Sequence, residues 1–417
     1  MLGKIKKITP KWLFQIYHYK LALLSAIVHR FPSRSLFVIG VTGTKGKSST
    51  TEILNAILEK AGHKTALSNT IRFKIADKSR PNLYKMSMPG RFFMQKFLRD
   101  AVSAGCTHAV IEITSEGARQ FRNKWIDLDS FVFTNLSPEH IESHGSYEKY
   151  RDAKVSIAHE IEKSHKPIRR TFINKDDSEA ARFLAVNADE KITYSISDAD
   201  QYQIRDDGIF FTWNGLAIKS PLSGLFNLYN ILAAATCASA MGIDKNIIKD
   251  TLENFGEIKG RVERVNAGQD FTVVVDYAHT IDSLEKLYQA FPNQKKICIL
   301  GNTGGGRDTW KRPGMAKVAE KYCDHIILAN EDPYDEDPRK IVDEMKAAIS
   351  PAKPCEIIMD RREAIARAVS LARTGDAVLI SGKGTDPYIM GPNGTKLPWS
   401  DSKVSKEELE KLLSKRK

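Results

Sequence analysis

The residues best suited to chemistry lie in the stretch IGVTGTKGKSSTT, residues 39–51, where an apolar run gives way to glycines, lysines and hydroxyl side chains. In a phosphate-binding loop, glycines let backbone N–H groups converge on phosphate oxygens, a lysine reaches the β- and γ-phosphates, and a hydroxyl coordinates Mg²⁺. The residues that match these parts are Gly43, Gly46, Lys47 and Ser48. The strict motif GxxxxGK[ST] needs a glycine where Val41 stands. The stretch therefore indicates a nucleotide site, with a glycine turn at a helix N-terminus as the alternative.

The elements around this loop alternate short apolar strands with longer helical stretches, which is the pattern of a parallel α/β fold. The predicted strands are 36–41, 108–114, 130–136, 271–278, 295–301, 325–331, 356–360 and 376–382. Between the two series, the runs KITYSI and GIFFTW, with turn signals beside them, predict antiparallel strands at a sheet margin. Because ligands bind at the carboxyl ends of parallel strands, each series offers an edge for a site.

Composition narrows the classes of function. The chain has 417 residues, enough for two or three domains, and a net charge of +12. Seven of its Lys and Arg residues, and no Asp or Glu, fall in residues 1–36. No basic stripe interleaved with aromatic residues follows, which disfavours nucleic acid as a partner. The five cysteines form no CxxC pair, so neither a disulfide framework nor a cysteine zinc site is predicted, and a reducing cytosol is expected.

The segment between Pro10 and Pro32 is strongly apolar but is interrupted by His18, Lys20 and His29. It is therefore too polar for a membrane-spanning helix, and no small-residue cleavage site marks a signal peptide. Two interpretations remain open. The helix covers the next domain with its apolar side, or it lies in the membrane interface as a peripheral anchor.

Several further motifs follow the loop in a fixed order. They are EITSEG (112–117), TNLSPEHIESHGSYEKYRDAK (134–154), GLFNLYN (224–230), GRVERV (260–265), DYAHTIDSLEKL (276–287), GNTGGGRDTWKRPGMAKVA (301–319), EDPYDEDP (331–338) and SGKGTDPY (381–388). With GTKGKSS, they resemble the Mur ligase family over about residues 36–417. Within that family, the resemblance is to members that add the third residue of the peptidoglycan stem peptide.

The resemblance implies a domain plan and an activity. The plan is a basic apolar arm at 1–35, a P-loop ATPase central domain with a mostly parallel sheet at 36–258, and a Rossmann-like α/β C-terminal domain at 259–417. The implied enzyme is an ATP-dependent ligase that activates a carboxylate as an acyl phosphate and joins it to an amino acid amine. Its expected location is the cytoplasm, with the arm as a peripheral contact at the inner membrane face.

The resemblance also implies the residues that carry the reaction. Lys47 and Ser48 would bind the γ-phosphate and a first Mg²⁺, while Glu112 and His140 would bind a second. Lys154 matches a lysine that the family carbamylates with CO₂. The implied nucleotide-binding residues are Gly43, Thr44, Lys45, Gly46, Lys47, Ser48, Ser49, Asn227, Asn230, Arg261, Asp276 and His279. Taken singly, His140 and Lys154 would be a loop histidine and a solvated helix lysine.

The chain departs from the family pattern in three places. Lys45 stands where the family has asparagine, and ATP binding is still expected with this change. Diaminopimelate enzymes carry the amino-acid signature Asp-Asn-Pro-Arg, and this chain has Tyr334 at the arginine position. A later Gly-His-Glu motif of those enzymes ends in Asp386 in this chain. The predicted amino-acid contacts are Asp332, Tyr334 and Asp386, with lysine or ornithine favoured over diaminopimelate. Third, only about 36 residues precede the first strand, so the family's N-terminal UDP-binding domain is expected to be absent. Three alternatives follow: a partner supplies this domain, the acceptor is held differently, or the acceptor is not a UDP-sugar.

Two other functions remain as alternatives. A folylpolyglutamate synthase would use related chemistry, but its loop usually contains GKGS, and the blocks at 134–154 and 381–388 favour the cell-wall branch. A non-catalytic ATP-binding subunit of a cell-wall-modifying complex would not need the predicted second-metal site. The expected small-molecule partners are ATP, an amino acid and a carboxylate acceptor such as UDP-N-acetylmuramoyl-dipeptide.

Overall fold

The computed structural model describes residues 11–138, 145–306 and 308–416. The chain divides into two compact units, each described here by itself. The first unit contains residues up to 200 together with 212–216 and 228–253, and the second contains 201–211, 217–227 and the residues from 254 onward.

The helices and strands are labelled in chain order over the described residues. The helices are α1 (Lys11–Val28), α2 (Lys47–Lys60), α3 (Arg91–Ser103), α4 (Ser115–Arg119), α5 (Tyr147–Ala158), α6 (Ala180–Leu184), α7 (Leu225–Ala240), α8 (Lys245–Glu253), α9 (Ile281–Gln289), α10 (Lys311–Tyr322), α11 (Pro338–Ala347), α12 (Arg361–Leu371) and α13 (Asp401–Arg416). The strands are β1 (Phe37–Thr42), β2 (Thr65–Ser68), β3 (Arg72–Ile75), β4 (Lys78–Pro81), β5 (His108–Glu112), β6 (Ser130–Phe133), β7 (Arg170–Asn174), β8 (Glu190–Tyr194), β9 (Asp200–Arg205), β10 (Gly208–Trp213), β11 (Leu216–Ser220), β12 (Glu263–Arg264), β13 (Thr272–Val275), β14 (Lys296–Leu300), β15 (His325–Leu328), β16 (Cys355–Ile357), β17 (Ala377–Ile380), β18 (Tyr388–Met390) and β19 (Lys396–Pro398).

The first unit is built on a sheet in the order β4-β3-β2-β5-β1-β6-β7-β8. All pairs from β2 to β8 are parallel, and the pairs β2–β3 and β3–β4 at one edge are antiparallel. Val41 lies opposite Glu112, and Thr42 lies opposite Phe133. Because parallel strands end at the same edge, the segments after β1, β5 and β6 meet there.

The central strands of this sheet are buried on both faces. Val38, Ile111 and Phe131 belong to one apolar cluster, while Ile39 and Val110, which point to the opposite face, are also fully buried. Near-continuous apolar runs are what a parallel sheet covered by helices requires. This explains why β1, β5 and β6 could be predicted from the sequence.

One strand orientation differs from the prediction. The run KITYSI forms β8, which pairs parallel with β7 at the edge of the large sheet, not antiparallel. Its alternation reflects the edge position, where one face is exposed, and alternation alone does not reveal the direction of the partner. The run GIFFTW forms β10, the centre of a separate three-stranded sheet in the order β11-β10-β9.

The second unit contains a sheet in the order β12-β13-β17-β14-β15-β16. The pairs from β13 to β16 are parallel, and only β12 is antiparallel. A further hairpin joins β18 and β19. The predicted fold class, a mostly parallel P-loop unit followed by a Rossmann-like α/β unit, is confirmed.

The expectation of no disulfide is wrong for one pair of cysteines. Cys298 on β14 and Cys323, which follows α10, form a disulfide buried in the core of the second unit. Their separation of 25 residues has no motif character, and only the return of α10 to the sheet brings the two side chains together.

The apolar segment before the first strand forms α1, which packs on α3. Within the part of the chain that the structure describes, no helix has both the length and the apolar character needed to cross a bilayer.

Candidate active site

The loop between β1 and α2 requires glycine at two positions. Gly43 has φ +155° and Gly46 has φ +82°, in the region that favours glycine. A Cβ on Gly43 would overlap Thr134 Oγ1, and a Cβ on Gly46 would overlap Asn230 Oδ1. The predicted Asn230 therefore lies against the loop, and the close approach of these side chains fixes the loop's path.

The segment after β6 clamps the other side of the loop. The backbone N–H of Thr44 donates to Asn135 O at 2.8 Å, and that of Lys45 donates to Asn135 Oδ1 at 2.9 Å. Thr134 Oγ1 in turn donates to Lys45 O at 2.7 Å. The loop is thus held in place while α2, which begins at Lys47 with Ser48 and Ser49 in its first turn, directs its N-terminus towards it. Such a helix start attracts anions.

Two lysines converge on one loop carbonyl. Lys47 Nζ donates to Gly43 O at 3.1 Å and to Thr44 O at 3.0 Å. Lys154 Nζ, from α5, donates to the same Gly43 O at 2.6 Å, and Lys154 is only 2% exposed. The ammonium of Lys154 also lies 5.0 Å from the centre of the Tyr150 ring. Positive charge is therefore concentrated beside the loop, which suits a polyphosphate.

Glu112, at the end of β5, is buried among donors. It accepts hydrogen bonds from Ser48 Oγ at 2.7 Å, Ser87 Oγ at 2.8 Å and the N–H of Thr70 at 3.0 Å. Burial raises the pKa of Glu112, but nearby Lys47 and these hydrogen bonds outweigh burial, so the pKa lies below its ordinary value. Glu112 is consequently an anion at neutral pH, held beside the first turn of α2.

The donor set around Ser48 and Glu112 fits Mg²⁺, which prefers hard oxygen ligands. His140, the other predicted ligand, lies outside the described residues. Within the described ranges, no group of three or more His, Cys, Asp or Glu side chains has the arrangement of a metal site.

Asp276, a predicted nucleotide contact of the second unit, directly follows β13. The Asp276 carboxylate accepts from the N–H groups of Val262 and Ala278, each at 2.7 Å. Burial raises the pKa of Asp276, although Arg261, these two N–H groups and His279 oppose it. Asp276 therefore holds the backbone on either side of it.

Arg261 and His279 both contact Tyr277. The guanidinium of Arg261 lies 4.4 Å from the centre of the Tyr277 ring, and His279 Nδ1 lies 2.6 Å from Tyr277 O. Asn227, also assigned to the second unit, donates from Nδ2 to Ser223 O at 2.8 Å. These contacts orient the three predicted residues within their own unit.

Two of the predicted amino-acid contacts, Asp332 and Asp386, lie beside a lysine for which the sequence predicted no role. Lys383, 1% exposed, donates to Asp332 Oδ1 at 2.6 Å and lies 3.7 Å from Asp386 Oδ2. The N–H of Met390 also donates to Asp332 Oδ1, at 2.8 Å. Asp332 therefore already has an ammonium partner within the chain.

Tyr334 lies on the next part of the same loop, with φ +53°, and its N–H donates to Met390 O at 3.0 Å. It lines an open cavity of about 630 Å³ together with Pro333, Ile389 and Leu397. The loop is thus fixed to the β18–β19 hairpin, and Tyr334 borders a space large enough for an amino acid side chain.

Sequence reasoning missed the residues that orient the predicted ones. Thr70 and Ser87 bind Glu112 but come from the region around β3 and β4, where no motif stands. Thr134 and Asn135 begin the block TNLS, from which no role was predicted for either residue. Tyr150, from the same block, has its hydroxyl 3.0 Å from Thr44 Oγ1. The block at 134–154 was the available signal for the last three.

Comparison with known proteins identifies the family of the chain. The model of the Mur ligase middle domain matches residues 41–238, and that of the Mur ligase glutamate ligase domain matches residues 260–384. A UDP-N-acetylmuramoyl-L-alanyl-D-glutamate--2,6-diaminopimelate ligase of Geobacillus thermodenitrificans is 37% identical over 383 residues, covering 88% of this chain and 78% of the relative. The chain belongs to the Mur ligase family. Mur ligases are ATP-dependent, Mg²⁺-requiring enzymes that form carbon–nitrogen bonds, and this chain is an enzyme of that kind.

Other Mur ligases extend the comparison. A UDP-N-acetylmuramyl-tripeptide synthetase of Roseiflexus sp. is 35% identical, covering 94% of this chain and 82% of the relative. A solved UDP-N-acetylmuramoyl-L-alanyl-D-glutamate--2,6-diaminopimelate ligase has a TM-score of 0.61 and 29% identity over 91% of this chain and 79% of its own. Mycobacterium tuberculosis folylpolyglutamate synthase has a TM-score of 0.69 at 17% identity, covering 88% of this chain and 93% of its own, which shows a shared fold alone.

Proposed function

We propose that this Mur ligase extends the peptidoglycan stem peptide by joining an amino acid to a UDP-N-acetylmuramoyl-dipeptide or a related carboxylate acceptor. The observation that carries the proposal is the arrangement around the β1–α2 loop. Lys47 and Lys154 share Gly43 O, and the Glu112 anion binds Ser48 beside them. The positive charge of Lys47 and the one buried carboxylate suit phosphoryl transfer, which depends on alignment and charge neutralisation.

The proposed reaction has two displacements. An oxygen of the acceptor carboxylate attacks the γ-phosphorus of ATP, and the bond from that phosphorus to the bridging oxygen breaks, so that ADP leaves with the electron pair. The amino group of the incoming amino acid then attacks the acyl carbon and loses a proton, and the bond to the phosphate oxygen breaks. Lys47 and the N-terminus of α2 stabilise the negative charge that moves in the first step.

Residues for two Mg²⁺ ions are part of the proposal. Ser48 would hold the first, and Glu112 with His140 would hold the second, assisted by Lys154 after its carbamylation. Mg²⁺ bound there supplies charge neutralisation of the phosphates. Carbamylation would convert the Lys154 ammonium into an anion. The hydrogen bond from the ammonium to Gly43 O would then be lost. The nearby groups of the chain would then present oxygen rather than ammonium to the cation.

The amino acid is not selected by Asp332 alone. Because Lys383 neutralises Asp332, a side-chain ammonium of lysine or ornithine would have to share or displace Lys383. The relatives' names specify 2,6-diaminopimelate, but Tyr334 stands where those enzymes are expected to have an arginine. The assay must therefore include diaminopimelate, lysine, ornithine and uncharged amino acids.

The experiment measures phosphate release from ATP and Mg²⁺ with UDP-N-acetylmuramoyl-L-alanyl-D-glutamate and each amino acid. Release that requires both the acceptor and one amino acid supports the proposal. The variant Lys154→Ala should abolish it, while Lys149→Ala, on the exposed side of the same helix, should leave it unchanged. Intact-protein mass spectrometry in bicarbonate buffer should detect the carbamate in the wild-type protein only.

Two outcomes would redirect the assignment. Glutamate-dependent release with a folate acceptor, and none with the dipeptide, would indicate the folylpolyglutamate synthase alternative. ATP binding without release in the presence of any acceptor would indicate a non-catalytic subunit. We also propose that the arm makes a peripheral contact at the inner membrane face.

A further inference from the structure

Helix α1 exposes six large apolar residues along one side. Leu13, Ile16, Tyr17, Leu24, Ile27 and Val28 are all exposed, and we call them the apolar stripe. At 3.6 residues per turn they fall within about 120° of one another around the helix axis. A surface helix ordinarily turns such a face to the core, so this arrangement is inverted.

The opposite face of α1 is made of small residues and is already used. Ala22, Ser25 and Ala26 are buried where α1 packs on α3, and Ser25 Oγ donates to Arg91 O at 3.2 Å. Arg99 on α3 donates to His29 O at 2.9 Å and 2.7 Å, which fixes the end of the helix. Rotation of α1 to bury the apolar stripe would break these contacts. The stripe therefore remains outward in this unit.

The charges that α1 and the residues directly after it carry have one sign. Lys20 is exposed and falls among the stripe residues along the helix, and Arg30 is exposed just beyond its end. By sequence, residues 1–36 contain seven Lys and Arg and no Asp or Glu. Phe92 on α3, 40% exposed, extends the apolar surface, with its ring centre 6.4 Å from that of His29. An apolar face on a helix that carries basic residues and no Asp or Glu matches a surface that is both apolar and anionic.

We propose that the apolar stripe lies in the interface of an anionic lipid membrane, with α1 parallel to the membrane plane. Helix α1, of 18 residues, would extend about 27 Å along the surface. The stripe would enter the headgroup boundary, while Lys20 and Arg30 contact lipid phosphates. This names the lipid chemistry and the residues for the arm's proposed membrane contact, and it does not depend on which acceptor the ligase uses.

The experiment is co-sedimentation of the full chain with vesicles of phosphatidylglycerol and phosphatidylcholine, and with vesicles of phosphatidylcholine alone. The test variant is Ile27→Glu, and its matched control is Ile168→Glu, since Ile27 is 53% exposed and Ile168 is 43% exposed outside the stripe. Burial of one such side chain changes partitioning by about tenfold or more. Leu24→Gln serves as a second test variant, and the thermal unfolding midpoint confirms that each variant is folded.

Binding to the anionic vesicles that falls about tenfold in Ile27→Glu and Leu24→Gln, and stays unchanged in Ile168→Glu, supports the proposal. It should also weaken in 1 M salt, where charges are screened over about 3 Å. Equal binding by all variants, or no binding by the wild-type chain, would overturn it. A lipid-free wild-type dimer that Ile27→Glu converts to a monomer would also overturn it, because a second copy would then cover the stripe. Phosphate release measured on the same preparations separates this result from the fate of the proposed reaction.

Discussion

Glu112 shows how a charged group is kept ionised inside a sheet. Burial alone would favour its neutral form, and an isolated buried carboxylate is costly. Here, Ser48, Ser87 and Thr70 donate to it, and Lys47 lies near enough to lower its pKa. The chain therefore maintains a negative charge beside a loop that is otherwise positive, which is the arrangement that a cation between carboxylate and phosphate would require.

Removal of that charge should impair catalysis more than folding. In Glu112→Gln, an amide replaces the carboxylate with nearly the same shape, and its oxygen still accepts from the same region. We expect the rate of phosphate release to fall about a hundredfold, the size typical of losing one electrostatic group at a reacting phosphate. Steady-state kinetics would measure this, with Glu116→Gln, an exposed carboxylate on α4, as the control. A loss smaller than fivefold in Glu112→Gln would exclude Glu112 from the reaction.

Glu331 should make stability depend on pH. Burial and the neighbouring Asp332 raise its pKa, against the effects of Arg361, Lys383 and Thr303. A raised folded-state pKa means that its contribution to stability is present below the unfolded value, about 4.3, and is lost as pH rises through the folded value. The free energy of unfolding of the wild-type chain, minus that of E331Q, should therefore fall as pH rises above about 4.

Urea unfolding at several pH values measures that difference, and it is read as a comparison of two proteins so that other titrating groups cancel. The expected result is a difference that declines as pH rises above about 4. A difference that stays constant, or that rises with pH, would contradict the assigned direction of the pKa shift.

At the scale of the element, β1, the loop and α2 form one strand–loop–helix unit. Gly46 starts α2 and Gly62 follows its end, both with φ near +85°. A Cβ on Gly46 would overlap Asn230 Oδ1, whereas nothing lies within 4 Å of a Cβ on Gly62. The two glycines therefore have the same left-handed backbone conformation and differ in what surrounds them.

Alanine at each position separates the two effects. Gly62→Ala should cost about 1 kcal/mol in the free energy of unfolding, from left-handed strain partly offset by a less flexible unfolded chain. Gly46→Ala should cost more, and should weaken ATP binding at least tenfold because Asn230 or the loop has to move. Denaturant unfolding and nucleotide titration would check both. Equal effects of the two substitutions would mean that the contact with Asn230 does not constrain the loop.

The sequence was informative for elements whose burial is two-sided. The predicted strands 36–41, 108–114 and 130–136 correspond to β1, β5 and β6, whose apolar runs are covered on both faces. The hairpin of β3 and β4 was not predicted, since β4 is exposed throughout and its residues, KSRP, have no apolar pattern. The direction of β8 was predicted wrongly, because an edge strand alternates whether its partner is parallel or antiparallel.

At the scale of the molecule, local motifs located groups but not their partners. The glycine loop, Glu112 and Lys154 are separated by many residues, yet the structure places Lys47, Ser48, Glu112 and Lys154 around one loop. Their chemical roles remain predictions, as does that of His140. The pairing of Lys383 with Asp332, and of Cys298 with Cys323, depends on how distant strands and helices meet, which no spacing in the sequence encodes.

The most direct test of the central claim follows one oxygen atom. The acceptor is prepared with ¹⁸O in its reacting carboxylate and is turned over with ATP, Mg²⁺ and the amino acid that stimulates phosphate release. Mass spectrometry then measures ¹⁸O in the released phosphate. Activation as an acyl phosphate predicts that one labelled oxygen passes from the carboxylate to each phosphate. Phosphate without label, released while the amide forms, would contradict the account, because the lost carboxylate oxygen would then have left in another product.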